Sequence, residues 1–342
     1  MLSVPVRLWQ YLAESEFPVS SRLSDNKLAT KAKRHEEMIR MDKKIISILQ
    51  KSGPLTGAQL LERTRLEVFY LWQICRRSPD IHIRIAGKRF LRLDRAVEGF
   101  ARLSPSIRRE FQTYTILGLK NQSEEIRNLI FRMEEEIKKI SREKLELARE
   151  SITSVVSSLP DQDLIREKTC FIIAGDITYD MAHTVPRPEK STGKIVRGSD
   201  LDIVVVTDNN LAVEIIKTMD SAIHDKKYFL LVHPNYREEI DYIIKSLSHL
   251  KQQLRFDTFK SMVACKILRE ADFLYGSFHL FQTVKERISD YNIPAQLDRM
   301  EEQARINRQT AEKVLLKLET DSFKEKFYNL FYTVEERLED LY

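Results

Sequence analysis

The stretch Arg197-Gly198-Ser199-Asp200-Leu201-Asp202-Ile203-Val204-Val205-Val206 sets two carboxylates directly before a β-branched run. Such a run reads as a buried strand. Side chains two apart on a strand share a face, so Asp200 and Asp202 are predicted to project side by side. Paired carboxylates repel each other unless a cation lies between them, and hard oxygen ligands select Mg²⁺ or Mn²⁺ over softer metals. An Asp-x-Asp also occurs as a turn cap or a structural Ca²⁺ ligand, but the Gly-Ser before it and the apolar strand after it favour a catalytic site.

Upstream, Cys170-Phe171-Ile172-Ile173-Ala174 reads as another short buried strand ending at Gly175-Asp176. A loop of about two dozen residues with Pro186, Pro188, Gly193 and Gly198 joins it to Asp200. Carboxylates at strand ends suit nucleotidyl transfer. In that reaction a hydroxyl attacks the α-phosphorus of a nucleoside triphosphate, pyrophosphate leaves, and metal ions balance charge on the entering and departing oxygens.

Ala174-Gly175-Asp176 and Gly198-Ser199-Asp200-Leu201-Asp202-Ile203-Val204 together resemble the polymerase-β-like nucleotidyltransferase superfamily. The resemblance spans roughly Asp163 to Ser277. It implies that Asp200 and Asp202 hold Mg²⁺ or Mn²⁺, that Gly175, Asp176 and Ser199 approach the triphosphate, and that a third carboxylate on a neighbouring strand shares a metal. Asp257, in the alternating Leu254-Arg255-Phe256-Asp257-Thr258-Phe259, is favoured for that place. Asp241 competes, but Tyr242, Ile243, Ile244 and Leu247 read as a helical stripe. The chain departs from the family pattern at Asp176, where a small residue is usual, and in its longer loop. Lys190, Lys194 and Arg197 in that loop either close over the triphosphate or belong to a surface loop. Ser191-Thr192-Gly193-Lys194 lacks the glycine spacing of a Walker sequence, and His183 is a lone loop histidine.

Nearer the amino terminus, Asp42 is positioned to cap a helix that stops at Gly53-Pro54. A short helix from Thr56 and a third from Glu67 to Arg76 follow. Ile81–Ile85 and Arg89–Leu93 then alternate as two strands about Ala86-Gly87-Lys88, which predicts a hairpin. Three helices and a hairpin resemble a winged helix-turn-helix, with Glu67 to Arg76 as recognition helix. Between Thr56 and Arg109 there are twelve Lys or Arg against five Asp or Glu, more than the net +5 of the whole chain. Arg76, Arg77, Arg84, Lys88 and Arg89 are therefore candidate contacts to RNA or DNA, unless the module docks protein instead.

The expected fold is α+β and predominantly helical. An extension (1–40) precedes the winged helix (41–103), a helical connector (104–160), a small mixed-sheet nucleotidyltransferase domain (161–277) and C-terminal helices (278–342). Ile126, Leu129, Ile130, Met133, Ile137 and Ile140 make the connector amphipathic, fit to pack on the next domain or to pair with a second copy as a homo-oligomer, while the tail stripe Phe323, Phe327, Leu330, Phe331 and Val334 either packs or, as the resemblance implies, holds the base or the acceptor. With 42% hydrophobic and 31% charged residues but only 9 Gly and 10 Pro, a turn-rich all-β protein is excluded. Three widely spaced cysteines exclude a zinc or disulfide framework. No apolar run is long enough to span a membrane and no signal peptide is visible, so a cytoplasmic protein is expected. Two functions stand: a metal-dependent nucleotidyltransferase acting on NTP and an RNA end, a protein or a nucleotide, or a non-catalytic winged-helix regulator with a degenerate sensing or assembly domain.

Overall fold

Residues 21–189, 191–318 and 325–334 are described in a computed structural model of the chain. It is 62% helical with small mixed sheets, an α+β fold dominated by helices. The first helix, α1 (Ser21–Ser52), begins well before Asp42, which lies inside it, because residues 21–41 are polar helix formers without Gly or Pro. It ends where Gly53 adopts φ +73°. Strand β1 (Leu55–Thr56) leads into α2 (Gly57–Thr64), whose Thr56 and Gln59 form a reciprocal capping box. Helix α3 (Val68–Arg77) follows, then β2 (Ile81–Ile85), β3 (Phe90–Leu93), β4 (Ala101–Ser104) and β5 (Thr115–Leu119).

The expected β2–β3 hairpin does not form. Strand β2 pairs antiparallel with β5, from Ile81 opposite Leu119 to Ile85 opposite Thr115, in a sheet of order β1-β5-β2. Strand β3 pairs with β4 instead. Local alternation is blind to this choice, which burial decides: Leu91, Leu93, Ala101 and Leu103 are buried against the second sheet, where a β2–β3 pairing would not carry them. The three-stranded sheet is thus complete only at Leu119, beyond the boundary expected at residue 103.

The connector is one 35-residue helix, α4 (Ser123–Ser157). After it come α5 (Gln162–Lys168), β6 (Thr169–Ala174), a 3₁₀ turn (Gly175–Tyr179), and β7 (Pro186–Pro188) paired with β8 (Ile195–Arg197). Next are β9 (Leu201–Thr207), α6 (Val213–Val232), β10 (Ile240–Ser246), α7 (Leu247–Gln253), α8 (Phe259–Glu270) and β11 (Asp272–Gly276). Helices α9 (Phe278–Asp290), α10 (Ile293–Lys317) and α11 (Glu325–Phe331) end the described chain. Phe323, expected in the tail stripe, lies outside the described residues, as does Lys190 of the loop.

The second sheet has the order β10-β9-β6-β11, with β9 parallel to β10 and antiparallel to β6. Both faces are covered, so β9 needs an unbroken apolar run. Leu201, Ile203 and Val205 pack against α4 and α6. Val204 and Val206 face α7 to α10 together with the β3–β4 hairpin. The C-terminal helices also enter the N-terminal core, where Ala311, Leu315, Phe331 and Tyr332 join Phe69, Trp72 and Ile74. The tail is therefore part of two cores rather than a separate region. Among the described residues no helix is long and apolar enough to cross a membrane.

Candidate active site

Ala174, Asp202 and Asp241 form one row across β6, β9 and β10, because Asp202 is opposite Ala174 on one side and Asp241 on the other. Neighbours in register share a face, and Tyr242 and Ile244 pack on the opposite core. Asp241 therefore lies on the Asp202 side. Asp241, expected on a helix, lies on strand β10 because the apolar residues around it fit both periods and the parallel ladder to β9 decides.

Asp257 is not on a strand. Residues 254–258 form the turn between α7 and α8, where Thr258 and Ser261 build a capping box and Ser261 donates to Asp257 at 3.3 Å. Asp257 is exposed there, and the carboxylate on the strand beside Asp202 is Asp241.

Asp200 and Asp202 have different surroundings. Strand β9 begins only at Leu201, and Asp200 is ion-paired with the buried guanidinium of Arg187. Arg187 also lies 2.9 Å from Glu239 and donates to the Gly198 carbonyl at 2.8 Å. Asp200, which the sequence assigned to a cation, thus shares one guanidinium with Glu239.

Asp202 instead faces a cleft of about 250 Å³ lined by Gly175, Asp176, Arg92, Lys266 and Glu270 together with Phe90 and Phe259. Burial pushes its carboxyl up to about 6, Arg92 works against that, and Asp241, Asp176 and Glu270 reinforce it. Arg92 comes from β3 and Lys266 from α8, so the hairpin and the helix supply the cationic wall. Lys266 pairs with Glu270 and lies 5.4 Å from the Tyr179 ring, which stacks on Phe90 at 4.1 Å. Glu270 accepts from Tyr179 Oη at 2.5 Å and from the Gly175 N–H at 3.4 Å. Arg92, Lys266 and Glu270 were not among the expected site residues; only the fold brings them to Asp202.

The Gly-Ser before the aspartates is structural in part. Gly198 takes φ +63°, and a Cβ there would stand 1.8 Å from the His183 carbonyl oxygen. Ser199 is buried, accepts from the His183 N–H at 3.2 Å and donates to Asp176 at 2.9 Å. Lys144 of α4, also buried, donates to the carbonyls of Arg197 (2.7 Å) and Ser199 (2.9 Å) and pairs with Glu238. Burial lowers the Lys144 pKa and raises that of Glu238.

Ser191-Thr192-Gly193-Lys194 is the tip of the β7–β8 hairpin. The Ser191 and Thr192 N–H groups donate to Glu189 at 2.9 and 2.7 Å. Burial opposes its charge, yet these bonds and those of the two hydroxyls hold its carboxyl at about 2. Lys194 and Arg197 are exposed outside the cleft lining.

The candidate nucleic-acid contacts divide. Arg76 pairs with Glu312 at 3.3 Å, Arg77 donates to the Leu316 carbonyl at 3.0 Å, and Arg89 binds Glu110 and Glu312. Helix α3 thus turns Arg76 and Arg77 toward α10, and Arg89, just before β3, meets the same helix at Glu312. Arg84 and Lys88 are exposed, Lys88 lying 3.8 Å from Asp180.

No family model, curated protein or solved structure matches the chain in comparisons with each.

Proposed function

We propose that the protein is a metal-dependent nucleotidyltransferase in which Asp202 and Asp241, rather than Asp200 and Asp257, carry the chemistry. The supporting observation is the row Ala174–Asp202–Asp241 at one end of the sheet, with Gly175 and Asp176 beside it. The donor set suits a hard divalent ion: Asp202 and Asp241 would hold Mg²⁺ or Mn²⁺, with Asp176 next to them. Among the described residues no three such groups are already drawn together at ligand spacing, so loading would require small side-chain movements.

The metal would supply charge neutralisation at the phosphates. Arg92 and Lys266 would bind the triphosphate oxygens, and Lys266 would exchange Glu270 for phosphate. The Gly175 N–H, now donating to Glu270, would turn to the same anion. Asp241, on the exposed side of the row, would orient the attacking hydroxyl. A cleft of about 250 Å³ is below the roughly 300–1,000 Å³ of sites that engulf a whole ligand. An NTP would therefore place its phosphates inside and its base at the mouth.

Helices α1 to α3 with sheet order β1-β5-β2 support the winged-helix reading, the β3–β4 hairpin being inserted between the last two strands. Because α3 packs on α10 and α11, the module serves as a docking frame for its own chain and for the hairpin that delivers Arg92.

Two contacts favour the non-catalytic alternative, the Arg187–Asp200 pair and the Glu270 bond to Gly175. Incubation of the full chain with each labelled NTP, Mn²⁺ and RNA separates the two. Transfer lost in Asp202→Asn supports the enzyme, and no transfer with any NTP supports the sensor.

A further inference from the structure

A second feature lies just outside the cleft, where β9 and β10 begin. Arg197 donates its backbone N–H to the Arg237 carbonyl at 2.8 Å, which brings two exposed arginines together at the same end of the sheet as Asp202 and Asp241. Both line a surface depression of about 340 Å³ with Ile195, which is 49% exposed. Arg237 has φ +53°, a left-handed conformation costly for a non-glycine residue. It is held there by its N–H bond to the His233 carbonyl at 3.1 Å.

Beside this pair, at the end of α6, the rings of Phe229, His233 and Tyr236 contact one another at 5.0, 5.9 and 5.2 Å between centroids. Phe229 is 43% exposed and Tyr228 58%. The Lys226 ammonium lies 5.4 Å over the Phe229 ring. Lys194, Arg197 and Arg237 are exposed here, and Lys226 and Lys227 are half-buried. Glu238 and Glu239 of the same turn are turned inward onto Lys144 and Arg187. The surface thus keeps its positive charge and leaves aromatic faces in water.

We propose that this face binds a single-stranded nucleic acid. Every base has a π-face that stacks on an exposed ring whatever the sequence, and guanidinium groups track the phosphates. A duplex keeps its bases stacked on each other and cannot use the rings. That the strand is the acceptor, its terminal hydroxyl entering the cleft, rests on the nucleotidyltransferase reading; the binding itself does not.

The test is fluorescence anisotropy of the full chain with labelled single strands of about 15 nucleotides, oligouridylate and oligothymidylate in parallel, and a duplex of the same length. Phe229→Ala is expected to weaken binding about tenfold or more, and Phe229→Trp to retain it. Arg197→Gln combined with Arg237→Gly, which suits the left-handed backbone, should lower the slope of log K against log salt by about 1.4, near 0.7 for each phosphate contact. Lys120→Gln, exposed beside the first turn of α4 and about six turns along that helix from the Lys144 that binds the Arg197 carbonyl, should change neither. A dissociation constant weaker than about 10⁻⁴ M at low salt, tighter binding of the duplex, or binding unaffected by these changes would overturn the proposal. Measuring binding in Asp202→Asn as well separates the two ideas: transfer lost with binding intact concerns only the cleft, and lost strand binding concerns only this face.

Discussion

Asp202 Oδ2 occupies the space that a side chain at position 175 would need, since a Cβ built on Gly175 would stand 2.1 Å from it. The glycine at the end of β6 also has φ +74°, so backbone conformation and the carboxylate both require it. Gly175→Ala should destabilise the fold by about 1–3 kcal/mol and displace Asp202. Gly99→Ala isolates the backbone contribution, because Gly99 has φ +71° with nothing near its Cβ. Thermal melting of both variants should show the larger loss at position 175.

Asp202 has a carboxyl raised to about 6 from an unfolded value of 3.8, burial being the main cause. The unfolded chain releases this proton at lower pH than the folded one. Its contribution to stability is therefore present below pH 4 and lost as pH rises through 6. Asp202→Asn removes that penalty, so above pH 7 it should be more stable than the natural chain by up to about 3 kcal/mol, with the gap closing toward pH 4. Urea unfolding across this range measures it. Mn²⁺ should narrow the gap at pH 8 by stabilising only the chain that keeps Asp202.

Lys144 connects α4 to the loop that presents the aspartates. Lys144→Met leaves Glu238 buried without its cation and should cost about 3–5 kcal/mol. Adding Glu238→Leu should recover part of that loss, a non-additivity that a double-mutant cycle reads directly.

Phe331 of α11 touches Phe69 and Trp72 of α3 at ring separations of 5.2 and 5.5 Å. Phe331→Ala should cost about 3–5 kcal/mol and shift the unfolding midpoint followed by tryptophan fluorescence, since the tail completes the N-terminal core.

How far the sequence revealed this arrangement follows from where each element finds its partner. Strands β6 and β9 were legible because both faces are buried and their residues are apolar and largely β-branched. Strand β10 was not, since Tyr242, Ile243, Ile244 and Leu247 suit a helix equally well until β9 is beside them. The alternation over 254–259 misled for the opposite reason: its Thr258 and Ser261 carried a capping signal for α8. Strand β2 has its partner at Thr115–Leu119, and no local pattern could prefer that to the nearer β3. Arg76, Arg77 and Arg89 looked like contacts to a polyanion because Glu312 and the carbonyls of α10, which satisfy them, lie more than two hundred residues away in the chain. The Asp-x-Asp was visible as a motif, but Arg187, which separates its two members in role, was not.

The most direct measurement of the central claim is transfer of labelled nucleotide by the full chain with Mn²⁺ in Asp202→Asn, Asp241→Asn and Asp257→Asn. A lost charge-stabilising group costs about 10²–10³-fold in rate. The first two variants should lose that much, and the third should stay within about twofold, too small a change in barrier to mark a catalytic role. Full activity in Asp241→Asn, or a loss in Asp257→Asn as deep as in Asp202→Asn, would contradict the account.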